Sequence, residues 1–226
     1  MTPRAPGWVY LISDRRRLLP SARTTAEELR ALVAQLEEAT AAGVDVIQLR
    51  ERDLEAAVLA SLAERIVRRA AGTHTRVLVN DRADVAIASA AHGVHLRADG
   101  PPARRVRSIV PPPNVIGRST HTVDDVVQHD DADYLLFGSI FPTASKPDAA
   151  PAAGIDRLRE AAYRSPVPVI AIGGIDADRA AACVEAGAAG VAAIGAFLPE
   201  GRAPGALGAG RAVAALRAAL ARAVRS

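Results

Sequence analysis

The sequence predicts a single-domain (β/α)₈ TIM barrel over residues 1–226, and two observations lead to this prediction. Eight short apolar runs of four to seven residues recur along the chain, and most are rich in Val and Ile. Helical patterns fill the intervals, and polar–apolar alternation within the runs is weak, as is typical of parallel strands covered on both faces. Eight such units agree with a closed barrel, which typically needs about 250 residues.

The predicted strands are dominated by aliphatic residues. In chain order they are WVYLI (8–12), VDVIQL (44–49), RVLVN (76–80), GVHL (93–96), NVIG (114–117), YLLFG (134–138), PVIAIGG (168–174) and GVAAIG (190–195). Prolines stand just before the fifth run, where they form a turn, because proline is excluded from central strands. A doubly wound open sheet is the alternative, but it usually has fewer strands, and no G-x-G-x-x-G fingerprint follows the first run.

The helical segments between the strands begin at recognisable caps. Segment 24–43 has Thr24 or Thr25 at its start, and the helix after the seventh strand has Asp176 or Asp178. Side-chain oxygens of these residue types accept hydrogen bonds from the first free N–H groups of a helix. We therefore interpret Asp176 as a cap rather than as a catalytic group.

Composition excludes several function classes. Aromatic residues make up 3% of the chain, too few for nucleic-acid binding by base stacking, and a net charge of +3 suits small anionic substrates. The single Cys183 can form neither an internal disulfide nor a metal cluster. We identify no signal peptide and no run near the roughly 20 apolar residues of a membrane helix. We expect a cytoplasmic protein without membrane or nucleic-acid partners, and assembly into a homo-oligomer is left open.

Polar residues and glycines collect directly after the predicted strands. Active sites of (β/α)₈ barrels form at this end, from the loops that follow the strands. The candidates there are Gln48, Arg50, Arg52, Asn80, Asp81, His95, Arg97, Asp99, Arg118, Ser119, His121, Thr143, Ser145, Lys146, Gly173, Gly174, Ile194 and Gly195. This separation from the apolar strands predicts that the functional site lies at their carboxyl ends.

The last two strand exits predict a phosphate site. Without a Cβ atom, Gly173 and Gly174 let a ligand approach backbone N–H groups, and Ile194 and Gly195 supply a second exit of this kind. N–H groups aimed at an anion bind phosphate without a charged side chain. The alternative is that the paired glycines only turn a tight corner.

The second strand exit predicts a site for another anion. Gln48, Arg50 and Arg52 alternate along an extended segment and therefore lie on one side of it. Two converging guanidinium groups suit a carboxylate, a phosphate or a diphosphate. The alternative is an internal ion pair of these arginines with Glu51 or Asp53.

Three other exit residues have candidate roles. Asp81 can hold a divalent metal or pair with Arg50, although one carboxylate makes a weak Mg²⁺ site. His121 can donate or accept a proton as a histidine, the alternative being a loop histidine without a catalytic role. Lys146 lies in the long loop 142–154. Loops of that length are usually lids or binding loops, so this lysine is expected to cover an anionic group unless it is simply solvated.

Taken together, the motifs resemble the thiamine phosphate synthase/TenI superfamily. QLRER, VNDRAD, GVHL, IGRSTHT, ADYLLFGSIFPTASK, IAIGGI and AGAAGVAAIGAF occur in the family's order over about residues 8–200. The resemblance implies a (β/α)₈ barrel of thiamine biosynthesis with one of two activities. The synthase joins a hydroxymethylpyrimidine diphosphate to a thiazole phosphate and releases diphosphate, with Mg²⁺. The tautomerase isomerises a thiazole carboxylate phosphate by proton transfer and requires no cofactor.

The resemblance also implies roles for particular residues. It places the thiazole phosphate at the exits of the last two strands, and the synthase pattern matches at Gln48, Arg50, Asn80, Asp81, Ser119, Thr143, Ser145 and Lys146, with Ala144 in the same stretch. Two departures stand out. Arg52 occupies a position where the synthase has Lys, and the second Mg²⁺ ligand of the synthase aligns with Gly100, while Asp99 stands one residue early.

These departures favour the tautomerase as the main interpretation. His121 is then the acid/base group, and the substrate carboxylate lies near Arg50 or Arg52. The alternative is a divergent synthase that uses Mg²⁺ at Asp81, with Asp99 compensating for the missing ligand. A third hypothesis is a non-catalytic regulator that binds thiamine phosphate and retains only the phosphate site.

Overall fold

The chain folds into a closed barrel of parallel strands in which each strand pairs with the next and the last pairs with the first. The computed structural model describes residues 7–128, 131–143, 152–198 and 208–223. The strands are β1 (Trp8–Ile12), β2 (Val46–Leu49), β3 (Arg76–Asn80), β4 (Gly93–Leu96), β5 (Val115–Thr120), β6 (Tyr134–Gly138), β7 (Val169–Ile172) and β8 (Gly190–Ala193). The predicted (β/α)₈ barrel is confirmed.

Helices lie between the strands and cover the outside of the barrel. They are α1 (Arg15–Leu18), α2 (Thr25–Ala41), α3 (Ala56–Ala70), α4 (Ala83–Ala88), α5 (Ala103–Val106), α6 (Val123–Gln128), α7 (Gly154–Arg164), α8 (Ala177–Glu185) and α9 (Ala209–Ala223), with a 3₁₀ helix at Gly195–Phe197. Two predicted caps are confirmed: Thr24 Oγ1 accepts from the Glu27 N–H at 3.2 Å, and Asp176 Oδ1 accepts from the Arg179 N–H at 2.9 Å. None of the helices in the described ranges is long and apolar enough to cross a bilayer.

One strand is longer than its sequence pattern predicts. The apolar run of the fifth strand stops at Gly117, but β5 continues to Thr120. Arg118 is fully buried in this extension, and its guanidinium donates hydrogen bonds to backbone carbonyls of the loop after β4. Because the carbonyls replace water around this cation, a charged residue can stand within a strand.

The few aromatic residues close the barrel interior below the strand exits. Trp8, Tyr10 and Tyr134 are buried there, and the two tyrosine hydroxyl groups lie 2.8 Å apart. The ring of Tyr134 meets those of Trp8 and Tyr10 edge-on. Such contacts add about 0.5–1.5 kcal/mol beyond the buried area. Because the lower part of the barrel is filled in this way, open space remains at the carboxyl ends of the strands.

Candidate active site

A cavity of about 570 Å³ opens at the carboxyl ends of the strands. Its apolar part includes Ile12, Leu136 and Ile172. The candidates from the sequence that line it are Gln48, Arg50, Arg52, Asn80, His95, Arg97, Asp99, Ser119, His121, Thr143, Gly173, Gly174, Ile194 and Gly195. Asp81 lies just beside this lining, whereas Ala144, Ser145 and Lys146 fall outside the described residues.

The glycine pair after β7 serves both the backbone and the packing of the next loop. Gly173 and Gly174 have φ values of +101° and +64°, which a residue with a Cβ rarely adopts. A Cβ atom on Gly173 would lie 2.5 Å from the Cβ of Ser139, and one on Gly174 would lie 2.7 Å from the Cβ of Phe141. These glycines therefore make room for the chain after β6 while keeping their backbone at the cavity wall.

The backbone at this wall is free to bind an anion. The N–H groups of Gly174 and Ile194 donate to no acceptor within the described parts of the chain. Gly195 differs from the pair after β7, because a Cβ atom built on it would meet nothing within 4 Å. A side chain at residue 195 would therefore extend into open space beside the cavity rather than into the protein.

Arginines form a cationic part of the cavity. Arg17, Arg50, Arg52 and Arg97 line it. The structure contradicts the alternative in which Arg50 or Arg52 forms an ion pair with Glu51 or Asp53. Another arginine, the buried Arg15, binds both of those carboxylates, with Nη–Oε2 and Nη–Oδ2 distances of 2.9 and 2.5 Å.

Arg50 is held in a half-buried position without a carboxylate partner. Neither Arg50 nor Arg52 forms a salt bridge with any described residue. Burial lowers the pKa of Arg50, and the neighbouring Arg52 lowers it further. A desolvated guanidinium without a counter-ion is suited to bind an anionic substrate group.

A chain of amides runs from the cavity floor to its edge. Gln48 Nε2 donates to Asn80 Oδ1 at 3.1 Å, and Asn80 Nδ2 donates to Asp81 Oδ2 at 3.1 Å. The Oε1 atom of Gln48 is buried and has no hydrogen-bond partner within the described chain. Since an unpaired buried acceptor costs about 1–3 kcal/mol, this oxygen is available to a donor on a bound ring.

A second buried chain ends on Ser119 at the cavity. The His95 ring lies 2.9 Å from Tyr134 Oη through Nδ1 and 2.9 Å from Ser119 Oγ through Nε2. Burial lowers the pKa of His95 to about 3, and the charges of Arg118 and Arg50 act in the same direction. His95 is therefore neutral and fixes the orientation of the Ser119 hydroxyl.

His121 lines the cavity, and the backbone holds one of its ring nitrogens. Its Nδ1 lies 2.7 Å from the Gly138 carbonyl oxygen. Because a carbonyl only accepts, Nδ1 carries the hydrogen of that bond, and Nε2 is the acceptor in the neutral ring. This arrangement is the one that a proton-accepting group requires.

Comparison with known proteins identifies the family. A family model described as "Thiamine monophosphate synthase" matches residues 10–197. The chain belongs to this family. The motif order predicted the same superfamily, and the barrel that it implied is present.

Curated relatives of this thiamine monophosphate synthase family member carry the synthase name. The thiamine-phosphate synthase of Roseiflexus castenholzii is 39% identical over 198 residues, which cover 87% of this chain and 83% of the relative. That of Methanocella arvoryzae is 41% identical over 164 residues, 72% and 77% of the two chains. The solved thiamine phosphate pyrophosphorylase from Pyrococcus furiosus superposes with a TM-score of 0.78 at 29% identity, covering 97% of this chain and 98% of that one. The chain thus belongs to an enzyme family of thiamine biosynthesis.

The synthase alternative within this family implies Mg²⁺ at Asp81 and Asp99. The structure places the Nε of Arg97 between them, 3.1 Å from Asp81 Oδ2 and 3.3 Å from Asp99 Oδ1. Asp81 Oδ1 also accepts from the Arg97 backbone N–H at 2.9 Å. Among the described residues, no group of three or more His, Cys, Asp or Glu could hold a metal. In this arrangement the residues do not fit a Mg²⁺ site, because a guanidinium stands between the two carboxylates.

Sequence reasoning gave no role to two of the cavity arginines. Arg17 follows β1, and its signal was the run of three arginines directly after Asp14. Arg97 follows β4 and was counted as an exit residue without a function. Since the exits of all strands converge, a rule that assigned every exit arginine to one anion site would have found both.

Proposed function

We propose that this protein is a thiamine-phosphate synthase, which joins a hydroxymethylpyrimidine diphosphate to a thiazole phosphate and releases diphosphate. One observation carries the proposal: a single cavity is lined by two sets of groups whose chemistry suits anions. One consists of free backbone N–H groups after β7 and β8, and the other of arginines after β1, β2 and β4. The synthase names of relatives at 39% and 41% identity support this reaction over the tautomerase.

The two parts of the cavity match the demands of the reaction. The bond between the methylene carbon of the hydroxymethyl group and the diphosphate oxygen breaks, and the diphosphate leaves with the bonding electrons. The lone pair of the thiazole nitrogen forms the new bond to that carbon, and the thiazole becomes a cationic thiazolium ring. Arg50 and Arg52 stabilise the charge that develops on this leaving group. The N–H groups of Gly174 and Ile194 hold the thiazole phosphate, which fixes the thiazole ring next to the reacting carbon.

The decisive experiment is a direct assay. Purified protein is mixed with hydroxymethylpyrimidine diphosphate and thiazole phosphate, and the formation of thiamine phosphate and diphosphate is followed. We expect both products in equal amounts. If neither forms, with or without added Mg²⁺, this protein is not a synthase.

The tautomerase is the second candidate, and the placement of His121 favours it. His121 lines the cavity with its Nδ1 held by a carbonyl, which leaves Nε2 to move a proton between a ring carbon and an exocyclic carbon. Isomerisation of the thiazole carboxylate phosphate in D₂O, measured in wild type and in His121→Ala, tests this activity. Deuterium incorporation that disappears in the variant supports the tautomerase, and phosphate-ligand binding without either reaction supports the regulator.

We expect Gly195→Val to weaken thiazole phosphate binding about 30-fold, or ~2 kcal/mol, because the new side chain blocks the approach to backbone N–H groups. Since a Cβ at this position meets no protein atom within 4 Å, the melting temperature should change little. Gly174→Val is a poorer probe, because it also clashes with Phe141. Calorimetric titration checks the affinity, with Ala57→Val on the exposed face of α3 as a control. An unchanged Kd in folded Gly195→Val would show that the phosphate does not bind at this wall of the cavity.

A further inference from the structure

Arg97 has two sets of nitrogen atoms in different surroundings. Its Nε contacts the carboxylates of Asp81 and Asp99, and its backbone N–H donates to Asp81. The two Nη groups form no hydrogen bond with any described residue, and the side chain is 51% exposed at the cavity. One edge of the guanidinium is therefore anchored, and the other is available to a ligand.

A buried arginine fixes the loop that carries Arg97. The guanidinium of Arg118 donates to the carbonyl oxygens of Arg97, Ala98 and Gly100 at 3.1, 3.2 and 3.1 Å, and also to that of Pro101. Loop 97–101 is thus gathered around one cation inside the barrel wall. Because the loop is fixed before any ligand arrives, little ordering is needed when Arg97 binds an anion.

The charge balance of this part of the cavity favours a polyvalent anion. Arg17, Arg50, Arg52 and Arg97 line it together with the carboxylate of Asp99. Guanidinium groups match the two phosphoryl groups of a diphosphate with paired N–H donors, and they remain charged at any physiological pH. The site therefore supplies from side chains the positive charge that a diphosphate leaving group requires.

We propose that Arg97 takes the charge-neutralising place of a divalent cation, so that this protein binds and releases diphosphate without Mg²⁺. Its Nε stays on the Asp81 carboxylate while its Nη groups bind the diphosphate. The inference rests on the proposed function, because the reaction supplies diphosphate as the anion. The inference concerns only how the protein binds the diphosphate leaving group, whereas the proposed function concerns the whole reaction.

The first test measures the binding of inorganic diphosphate by calorimetry in EDTA. Wild type is expected to bind, and Arg97→Met is expected to bind at least about tenfold more weakly, because charge-assisted hydrogen bonds are lost. Arg97→Lys retains the charge and should lie between the two. Arg68→Met, which removes an exposed arginine from α3, is the matched control. No binding by wild type in EDTA, or equal binding by wild type and Arg97→Met, overturns the proposal.

The second test detects the metal directly, by electron paramagnetic resonance of Mn²⁺ added to the protein. Wild type is expected to leave Mn²⁺ free both without and with inorganic diphosphate at the concentration of protein, apart from the Mn²⁺ that diphosphate binds in a protein-free control. Mn²⁺ held by wild type beyond that control contradicts the proposal. The outcome is separate from that of the synthase assay: thiamine phosphate formed only with Mg²⁺ would overturn this inference alone, and metal-free diphosphate binding without product would overturn the synthase alone.

Discussion

Replacing Arg50 by methionine is expected to lower kcat/KM for thiamine phosphate formation about 10³-fold, or ~4 kcal/mol in transition-state stabilisation. Arg50 is half-buried at the cavity and has no salt-bridge partner among the described residues. Two charge-assisted hydrogen bonds to a leaving diphosphate, at about 1.5–3 kcal/mol each, account for an effect of this size. Methionine keeps much of the side-chain volume, so that the loss reports on charge.

The same substitution should leave the fold at least as stable as before. Burial and the charge of Arg52 lower the pKa of Arg50, which means that the folded protein disfavours its charged form. Removing that charge should therefore not decrease the free energy of unfolding. Urea unfolding and steady-state kinetics, with Arg68→Met measured in parallel, check both halves of the prediction. A loss of stability that matched the loss of activity would assign Arg50 a structural role instead.

The barrel was predictable because its signal is repeated along the chain. A strand that is buried on both faces needs a short run of Val, Ile, Leu or Ala, and eight such runs occur in the sequence. The end of β5 was not predictable in the same way. From the sequence, Arg118 resembles a residue that follows a strand. The cation can stand inside β5 because it contacts the carbonyls of loop 97–101, which is far away in sequence but adjacent in the fold.

The sequence predicted which residues line the candidate site, but it did not predict which charged groups pair with each other. The rule that strand exits converge brought Gln48, Arg50, Ser119 and His121 to one cavity. The sequence could not assign partners to charges, since a guanidinium reaches any carboxylate within several ångströms. Arg15 binds the acids next to Arg50, and the two acids interpreted as metal ligands are held by a neighbouring arginine. Both outcomes depend on tertiary geometry.

His95 should make the protein sensitive to mild acid. Burial lowers the pKa of His95 from 6.5 to about 3 in the folded protein, whereas an unfolded chain restores the ordinary value. Between these two pH values the unfolded state binds one more proton than the folded state, so that stability is lost as the pH falls. The slope is about 1.4 kcal/mol per pH unit, and the total is on the order of 4 kcal/mol between pH 6.5 and pH 3.

His95→Gln is expected to remove this contribution. Glutamine can still donate to one hydroxyl and accept from the other, which are the roles that the neutral ring has between Tyr134 and Ser119. Urea unfolding at intervals from pH 7 to pH 4 should therefore show a shallower acid loss for the variant than for wild type. Arg69→Gln, at an exposed position of α3, should follow wild type. Parallel curves for wild type and His95→Gln would mean that His95 takes up its proton inside the folded barrel, and that Ser119 is then oriented by a charged ring.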